Sequence, residues 1–497
     1  MTDRTDAILA RLAALRTDDA PTHGGRVLSY VYDSGLAELD ELALRASAAV
    51  QSINGLDPTT FPSVARMERD VIDFAISLVG GQAPASGQRP VGLVTSGGTE
   101  SCLLAVKSAR ERWRAQHPSG GRGVLLIAAT AHAAFHKAAQ YFDLDLEIVP
   151  VNEDGVAAAD HFAQRLGDRT ALVVVSAPNY PFAGLDPVVE VAGAAADAGV
   201  PCHVDACIGG WVLPFWTSEN TPTDALPPWD FSVAGVSSIS MDAHKYGYAP
   251  KGASVLLFAD RDAKRAAGFA TTRWPGYPVV NPTMLGSRSA TSLAASWAII
   301  EYLSHSGFSS LTHRIQSATT ALVDTITAIR GLRVVGKPTG PLLAVATDSG
   351  AEANDRVDPH LWADKVRALG WVLQPQPGLR QSGAPDLPHT THLTLTPVTA
   401  DAIPELTPAL VAAADAVRGV PPLDLTPLLP ELPDLGVDET LDSAAAQRIL
   451  TQLGLGSEPS GPALPADLAP VMALLEIIPP QRAESLLTEL LARLNEH

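Results

Sequence analysis

The chain has 497 residues, a formal net charge of −19, 46% hydrophobic and 18% charged residues, a make-up that fits a soluble globular protein of about two or three domains. The negative excess argues against nucleic acid or an anionic membrane surface as the main partner, because either would repel the protein on average, while a local anion site needs only a few donors. Cys102, Cys202 and Cys207 show no metal-ligand spacing, which fits a reducing compartment, argues against a disulfide framework and gives no reason to expect a metal.

The N-terminal "MTDRTDAILARLAALRTDDA" is amphipathic and lacks a signal-type apolar core, and no apolar run reaches membrane-spanning length. A cytoplasmic protein is therefore expected. Residues 1–75 read as a helical segment, ending in "RMERDVIDFAISLVGG", an amphipathic helix closed by Gly80 and Gly81. From 76 to 300, short apolar runs alternate with helical stretches: "VGLVT", "VLLIAAT", "ALVVVSAP", "PCHVDA", "VSSISMD" and "GASVLLFAD". Strands apolar on both faces and separated by helices predict an α/β domain with a mostly parallel sheet covered on two sides. Residues 301–418, with "LRVVG", "PLLAVATD" and "HLTLTP", predict a smaller α+β domain. Residues 419–497 read as a Pro-rich tail with short helices, outside the main core and available to an unidentified partner.

In an open α/β sheet, ligands collect beyond the carboxyl ends of the strands. There the predicted strands deliver Ser96, Gly97, Gly98 and Thr99, then His132, Asn179, Asp205, and finally His244 and Lys245. "TSGGTES" between strand and helix offers free N–H groups to a phosphate, or else is a tight turn capped by Thr99. A carboxylate at the position of Asp205 needs a positive partner, such as a pyridinium N–H or an arginine. Lys245 can form an imine with an aldehyde, and burial is expected to lower its pKa toward a reactive amine. His132 could stack on a flat cofactor or serve as a hydrogen-bonded structural residue. Together these pieces meet the needs of pyridoxal phosphate: an amine for its aldehyde, an acid for its ring nitrogen and a helix start for its phosphate. Tyr246 and Tyr248 are candidate proton donors, and Lys251 is either a contact for a substrate phosphate or carboxylate or a solvated charge.

The stretches "SISMDAHKYGYAPKG", "CHVDACIGGWVLPF", "TSGGTES" and "WPGYPVVNPTMLGSRSA" resemble the pyridoxal-phosphate-dependent (group II) decarboxylase superfamily, and within it most of all sphingosine phosphate lyase. The resemblance runs from about residue 25 to near residue 400. It implies a fold type I, transferase-like architecture with a seven-stranded sheet and a homodimer with sites at the subunit interface. It also implies Lys245 as the Schiff-base lysine, Asp205 as the ring-nitrogen partner, His132 as the stacking ring, and Gly98, Thr99 and His244 on the phosphate. Ser287 would reach the phosphate of the neighbouring subunit's cofactor. The chain departs from the family pattern at Phe182 and Asp57, which replace histidines, and at Val279, which replaces a tyrosine, with Tyr277 nearby. The expected activity is a carbon–carbon lyase acting on an amine, with amino acid decarboxylation as the alternative, and aminotransfer or a non-catalytic binding role behind both.

Overall fold

The computed structural model describes residues 2–80, 85, 87–118, 120–216, 226–426, 440–452 and 467–493. Gly81, expected to help close the third helix, lies outside them. Three helices open the chain: α1 (Thr2–Leu15), α2 (Ala37–Ala49) and α3 (Pro62–Leu78). Helix α3 starts with Pro62, which needs no N–H partner there, and buries Val64, Val71, Ala75 and Leu78 along one face.

The large sheet and its helices follow as β1 (Val91–Thr95), α4 (Gly98–Gln116), β2 (Val124–Ala128), α5 (Ala134–Tyr141), β3 (Asp145–Val149), α6 (Ala159–Ala163), β4 (Thr170–Ser176), α7 (Val188–Asp197), β5 (Cys202–Asp205), β6 (Val236–Met241) and β7 (Ser254–Phe258). The seven strands lie in the order β1-β7-β6-β5-β4-β2-β3. Only β7 runs against its neighbours β1 and β6; the remaining pairings are parallel. Every residue of β2, β4, β5 and β7 is buried. The near-continuous apolar runs of the sequence therefore reflect a sheet with helices on both faces. The parallel strands β1, β2, β4, β5 and β6 point their carboxyl ends the same way, so loops far apart in sequence meet at one edge.

Helix α8 (Arg261–Ala267) and the small pair β8 (Phe269–Thr271) and β9 (Val279–Asn281) lead to α9 (Thr291–Ala328), which kinks at Ser304, φ 51°. The smaller domain holds β10 (Leu332–Val334), β11 (Leu342–Thr347), α10 (Pro359–Ala368), β12 (Gln374–Gln376), β13 (Thr390–Thr394) and α11 (Thr399–Val417), with an antiparallel sheet ordered β10-β11-β13-β12.

Of the C-terminal tail, residues 427–439 and 453–466, which carry many of its prolines, lie outside the described residues. The described part is α12 (Ser443–Gln452), α13 (Ala469–Ile477) and α14 (Pro480–Arg493). Helices α12 and α14 share a small core of Ala446, Ile449, Leu450 and Leu486. Helix α13 is fastened to the smaller domain. Asp364 of α10 accepts hydrogen bonds from the N–H groups of Leu468 (2.8 Å) and Ala469 (2.9 Å), and Glu476 accepts one from Gly378 N–H (3.0 Å). His389 bridges Asp358 (2.9 Å) and Glu476 (3.5 Å) through its two ring nitrogens. The sequence reading set this whole segment apart; its helix α13 is instead tied to the body by side chains far away in the chain.

Burial opposes a charged ring at His389, but hydrogen bonds and charges from Asp358 and Glu476 outweigh it and push its pKa up to about 9. A histidine whose pKa is raised on folding contributes stability that is fully present below its unfolded value of about 6.5 and is lost as pH rises through the folded value. Burial also opposes the charges of Asp358 and Glu476, yet His389 holds both below their ordinary values, so acid releases the clamp from the other side. His389→Ala is expected to cost about 3 kcal/mol, the usual result of removing one member of a largely buried ion pair. Urea unfolding at pH 7 measures it, and the difference from wild type should shrink above about pH 9.

Candidate active site

At the carboxyl ends of β1, β2, β4, β5 and β6 lies a cavity of about 350 Å³, lined by Ser96 to Glu100, Cys102, His132, Ser176, Pro178, Tyr180, Asp205, Cys207, Ile208, Asp242, His244 and Lys245. The volume suits a small cofactor. Of the predicted residues, Gly98, Thr99, His132, Asp205, His244 and Lys245 all line it.

The β1–α4 loop is held open by Glu100, whose carboxylate accepts from Ser96 N–H (2.6 Å), Ser96 Oγ–H (2.8 Å) and Met284 N–H (2.7 Å). Gly98 begins α4 in a space no side chain could share. A Cβ there would lie 2.6 and 2.8 Å from the Asp242 oxygens and 2.9 Å from Cys207 Sγ. Gly98→Ala is expected to cost about 1–3 kcal/mol by overpacking, read as a lower midpoint in chemical unfolding of the protein.

Asp242, at the end of β6, is the residue that sequence reasoning missed. Its carboxylate is buried, 2.9 Å from Lys245 Nζ and 3.7 Å from His244 Nε2. The signal was present, since an acid three residues before a lysine meets it across one turn. It also corrects the expectation for Lys245. Burial does pull the amine down, but the charge of Asp242, aided by Tyr32, Cys207 and the hydrogen bond to Asp242, outweighs it, and the pKa stands well above the ordinary lysine value. Asp242 shows the mirror image: burial pushes it up, but Lys245 and His244 bring it below its usual range.

Asp205 closes β5, its Oδ1 accepting from Cys207 N–H (3.1 Å) and Ser240 Oγ–H (3.3 Å). His132 sits at the cavity rim, with Nδ1 accepting from Ala134 N–H (3.1 Å), and partial desolvation of the ring leads the causes that lower its pKa. Tyr180, also missed, forms part of the wall, with its ring stacked on His392 (4.2 Å between centroids) and its hydroxyl donating to Gln374 (2.9 Å). The fold also brings together donor groups that showed no spacing in sequence: Cys102, Asp205 and Cys207 in the cavity wall, and His360, His389 and Glu476 beside α13. In the second trio both nitrogens of His389 face carboxylates, and His360 Nε2 donates to the carbonyls of Gln376 and Thr390.

Four predicted residues lie elsewhere. Asn179 spends its amide on its own turn, donating to Gly155 and Gly184 carbonyls (3.0 Å each) and accepting from Phe182 N–H (3.0 Å). Tyr246 is buried with its hydroxyl donating to Leu395 O (2.8 Å), and Tyr248 stacks on Phe308 (6.2 Å). Burial pushes both phenols far up. Neither tyrosine lines the cavity, because the turn that presents Lys245 sends the following side chains into the core. Ser287 is exposed and accepts from Asn54 Nδ2 (3.2 Å), outside this cavity. Lys251 is close by: its Nζ lies over the Tyr32 ring (4.4 Å) and donates to His244 O (3.2 Å). Desolvation of that amine, with repulsion from Lys245, lowers its pKa to about 8. Among the departures, Phe182 is buried, Asp57 accepts from Thr59 and Thr60, and Tyr277 is exposed.

The cavity fits pyridoxal phosphate by its own chemistry. His244 Nδ1 and Asp242 Oδ1 are buried without hydrogen-bond partners among the described residues. His244 Cε1 comes within 3.3 Å of where a Cβ on Gly97 would lie, so the ring lies flush with the glycine loop and the start of α4, where backbone N–H groups favour a phosphate. Lys245 supplies an amine and Asp205 a carboxylate for a ring nitrogen, both in the wall of this cavity.

Comparison with known proteins agrees. Residues 36–270 match the pyridoxal-dependent decarboxylase conserved domain, and residues 391–493 match a family described as a pyridoxal-dependent enzyme C-terminal putative HTH domain. The chain is 36% identical over 355 residues to a sphingosine-1-phosphate lyase of Oryza sativa subsp. japonica, covering 70% of this chain and 63% of that one. It is 36% identical over 352 residues to the Arabidopsis thaliana protein of the same name, covering 70% and 62%. It thus spans somewhat under two thirds of those relatives. The structure of a Burkholderia pseudomallei sphingosine-1-phosphate lyase matches with TM-score 0.75 and 30% identity, over 86% of this chain and 94% of that one. A Lactobacillus brevis glutamate decarboxylase shares the fold, with TM-score 0.70 and 19% identity over 84% and 93%. The chain belongs to the pyridoxal-dependent decarboxylase family of fold type I, whose cofactor is pyridoxal 5′-phosphate, and within it is similar to the sphingosine-1-phosphate lyases.

Proposed function

We propose that the protein is a pyridoxal-phosphate-dependent lyase that cleaves a carbon–carbon bond at the Cα of a phosphorylated amine, releasing an aldehyde. The observation that carries the reading is the placement of Lys245, Asp205 and the glycine loop around one cavity. When bound, the cofactor supplies an aldehyde for an amine and a protonated ring that takes up an electron pair. Lys245 would hold the cofactor, and its amine can carry a proton to and from a substrate carbon. Asp205 would partner the ring nitrogen, His132 would lie against the ring, and Gly98, Thr99 and His244 would hold the phosphate. Asp242 favours the charged form of the Lys245 amine.

Lys251 is the group we assign to the substrate's anionic end. Its charge is present below about pH 8 and lost above. The KM for a phosphorylated amine is therefore expected to rise about tenfold as pH passes through that value, the worth of one charge-assisted hydrogen bond. In Lys251→Gln the KM should be high and flat with pH.

Among the described residues no helix is long and apolar enough to cross a membrane. A cytoplasmic homodimer, with Ser287 serving the neighbouring subunit, is part of the same reading. Incubation with phosphorylated amino alcohols and with α-amino acids tests it. Trapped aldehyde supports the lyase; carbon dioxide from an amino acid in its place would make the protein a decarboxylase.

A further inference from the structure

Next to Asp205, β5 and β6 carry a line of buried polar side chains. The two strands are parallel, with His203 opposite Ser238 and Asp205 opposite Ser240. Alternation along a strand puts His203 and Asp205 on one face, and Ser238 and Ser240 on the corresponding face of the neighbour. His203 and Ser240 have no solvent exposure. His203 Nδ1 lies 2.8 Å from Ser238 Oγ, and Nε2 lies 3.2 Å from Ser240 Oγ. Ser240 Oγ in turn lies 3.3 Å from Asp205 Oδ1 and from Cys207 Sγ.

The proton positions follow from elimination. An ionised carboxylate only accepts, so Ser240 must spend its single proton on Asp205. Its oxygen then accepts from His203 and Cys207, so the ring proton of His203 sits on Nε2. Nδ1 is left as an acceptor for the Ser238 hydroxyl. Burial lowers the His203 pKa to about 4, which agrees with a neutral ring carrying one proton.

We propose that His203 and Ser240 are positioning residues: with Ser238 and Cys207 they form a one-way chain of donors ending on Asp205 Oδ1, which holds that carboxylate aimed at the cofactor ring nitrogen. The proposal rests on Asp205 being the ring-nitrogen partner. The chain matters because a carboxylate gripped by fixed donors keeps one orientation toward the cofactor.

The test uses holoenzyme loaded with pyridoxal phosphate labelled with ¹⁵N in the ring, read by NMR, together with the cofactor dissociation constant from absorbance titration. In Ser240→Ala the ring nitrogen is expected to shift toward its unprotonated position and the dissociation constant to rise about tenfold, as for loss of a hydrogen bond to a charged group. Ser240→Thr, which keeps the hydroxyl, should recover most of both. His203→Phe should move both in the same direction by less. Unfolding midpoints of the apoproteins separate these effects from loss of fold. A Ser240→Ala enzyme with wild-type nitrogen shift and affinity would overturn the relay, as would a folded Ser240→Thr enzyme as defective as Ser240→Ala. Asp205→Asn distinguishes the levels. If it moves the nitrogen signal and Ser240→Ala does not, only the relay fails; if neither moves it, the assignment of Asp205 itself fails.

Discussion

Lys245→Ala is expected to lower product formation by about a thousandfold or more, within the range for loss of a positioned proton carrier, and to remove the borohydride-stable pyridoxyl mass from the peptide spanning residue 245. The amine sits in the same cavity wall as the glycine loop and Asp205, and among the described residues no other lysine lines that cavity. The variant should still bind the cofactor, held at its phosphate by the α4 start and His244 and at its ring by Asp205. Loss of the covalent mark with retained binding separates the anchoring amine from the rest of the cradle. A pyridoxyl mark that persists on another lysine, with activity intact, would refute the assignment of Lys245.

Asp242→Asn is expected to have the largest effect on stability. Asp242 is buried and Lys245 partly so, the two only 2.9 Å apart, and removing one partner of a buried pair typically costs about 3–5 kcal/mol. The pH dependence carries the sharper signature. In wild type the Lys245 pKa is raised on folding, so its contribution is fully present below the unfolded value of about 10.4 and is lost only as pH rises through the raised value. With Asn at 242, burial acts on Lys245 without its main opponent, so the folded pKa is expected to fall below the unfolded one. Relative to wild type, the stability of the variant apoprotein should then decline as pH falls from about 10 toward 7. Urea titrations of both proteins at pH 7 and 9.5 decide it; parallel curves would show that Asp242 is not the partner that sets the charge on Lys245.

The sheet was legible because each of its inner strands is a short apolar run, and the site because strand ends are where such sheets gather their chemistry. Gly98, His132, Asp205 and Lys245 were found by that rule. The rule does not say which way a side chain in the turn after a strand will face. Asn179, Tyr246 and Tyr248 stand in sequence beside residues that face the cavity, but tight turns direct them into the core, where Asn179 closes a loop and Tyr246 reaches Leu395. Tyr180 was out of reach for a different reason, since its place depends on His392 and Gln374 of the smaller domain. The docking of α13 was hidden likewise, because nothing local in "HTTH" or "LLEII" indicates that His389 and Glu476 meet. Asp242 was available to a reader who asked what neutralises a buried ammonium.

Strand β1 carries the glycine loop at one edge of the sheet, and among the described residues its one strand neighbour is β7, with Thr95 opposite Ser254 and Val91 opposite Phe258. On the ribosome, everything from Ser96 to Ala253 is made before that neighbour exists. Until then Val91–Thr95 is an unpaired apolar edge, the kind of surface that sticks to other nascent chains and recruits chaperones. A glycine loop seated on a paired β1 is therefore expected only once translation has passed Phe258.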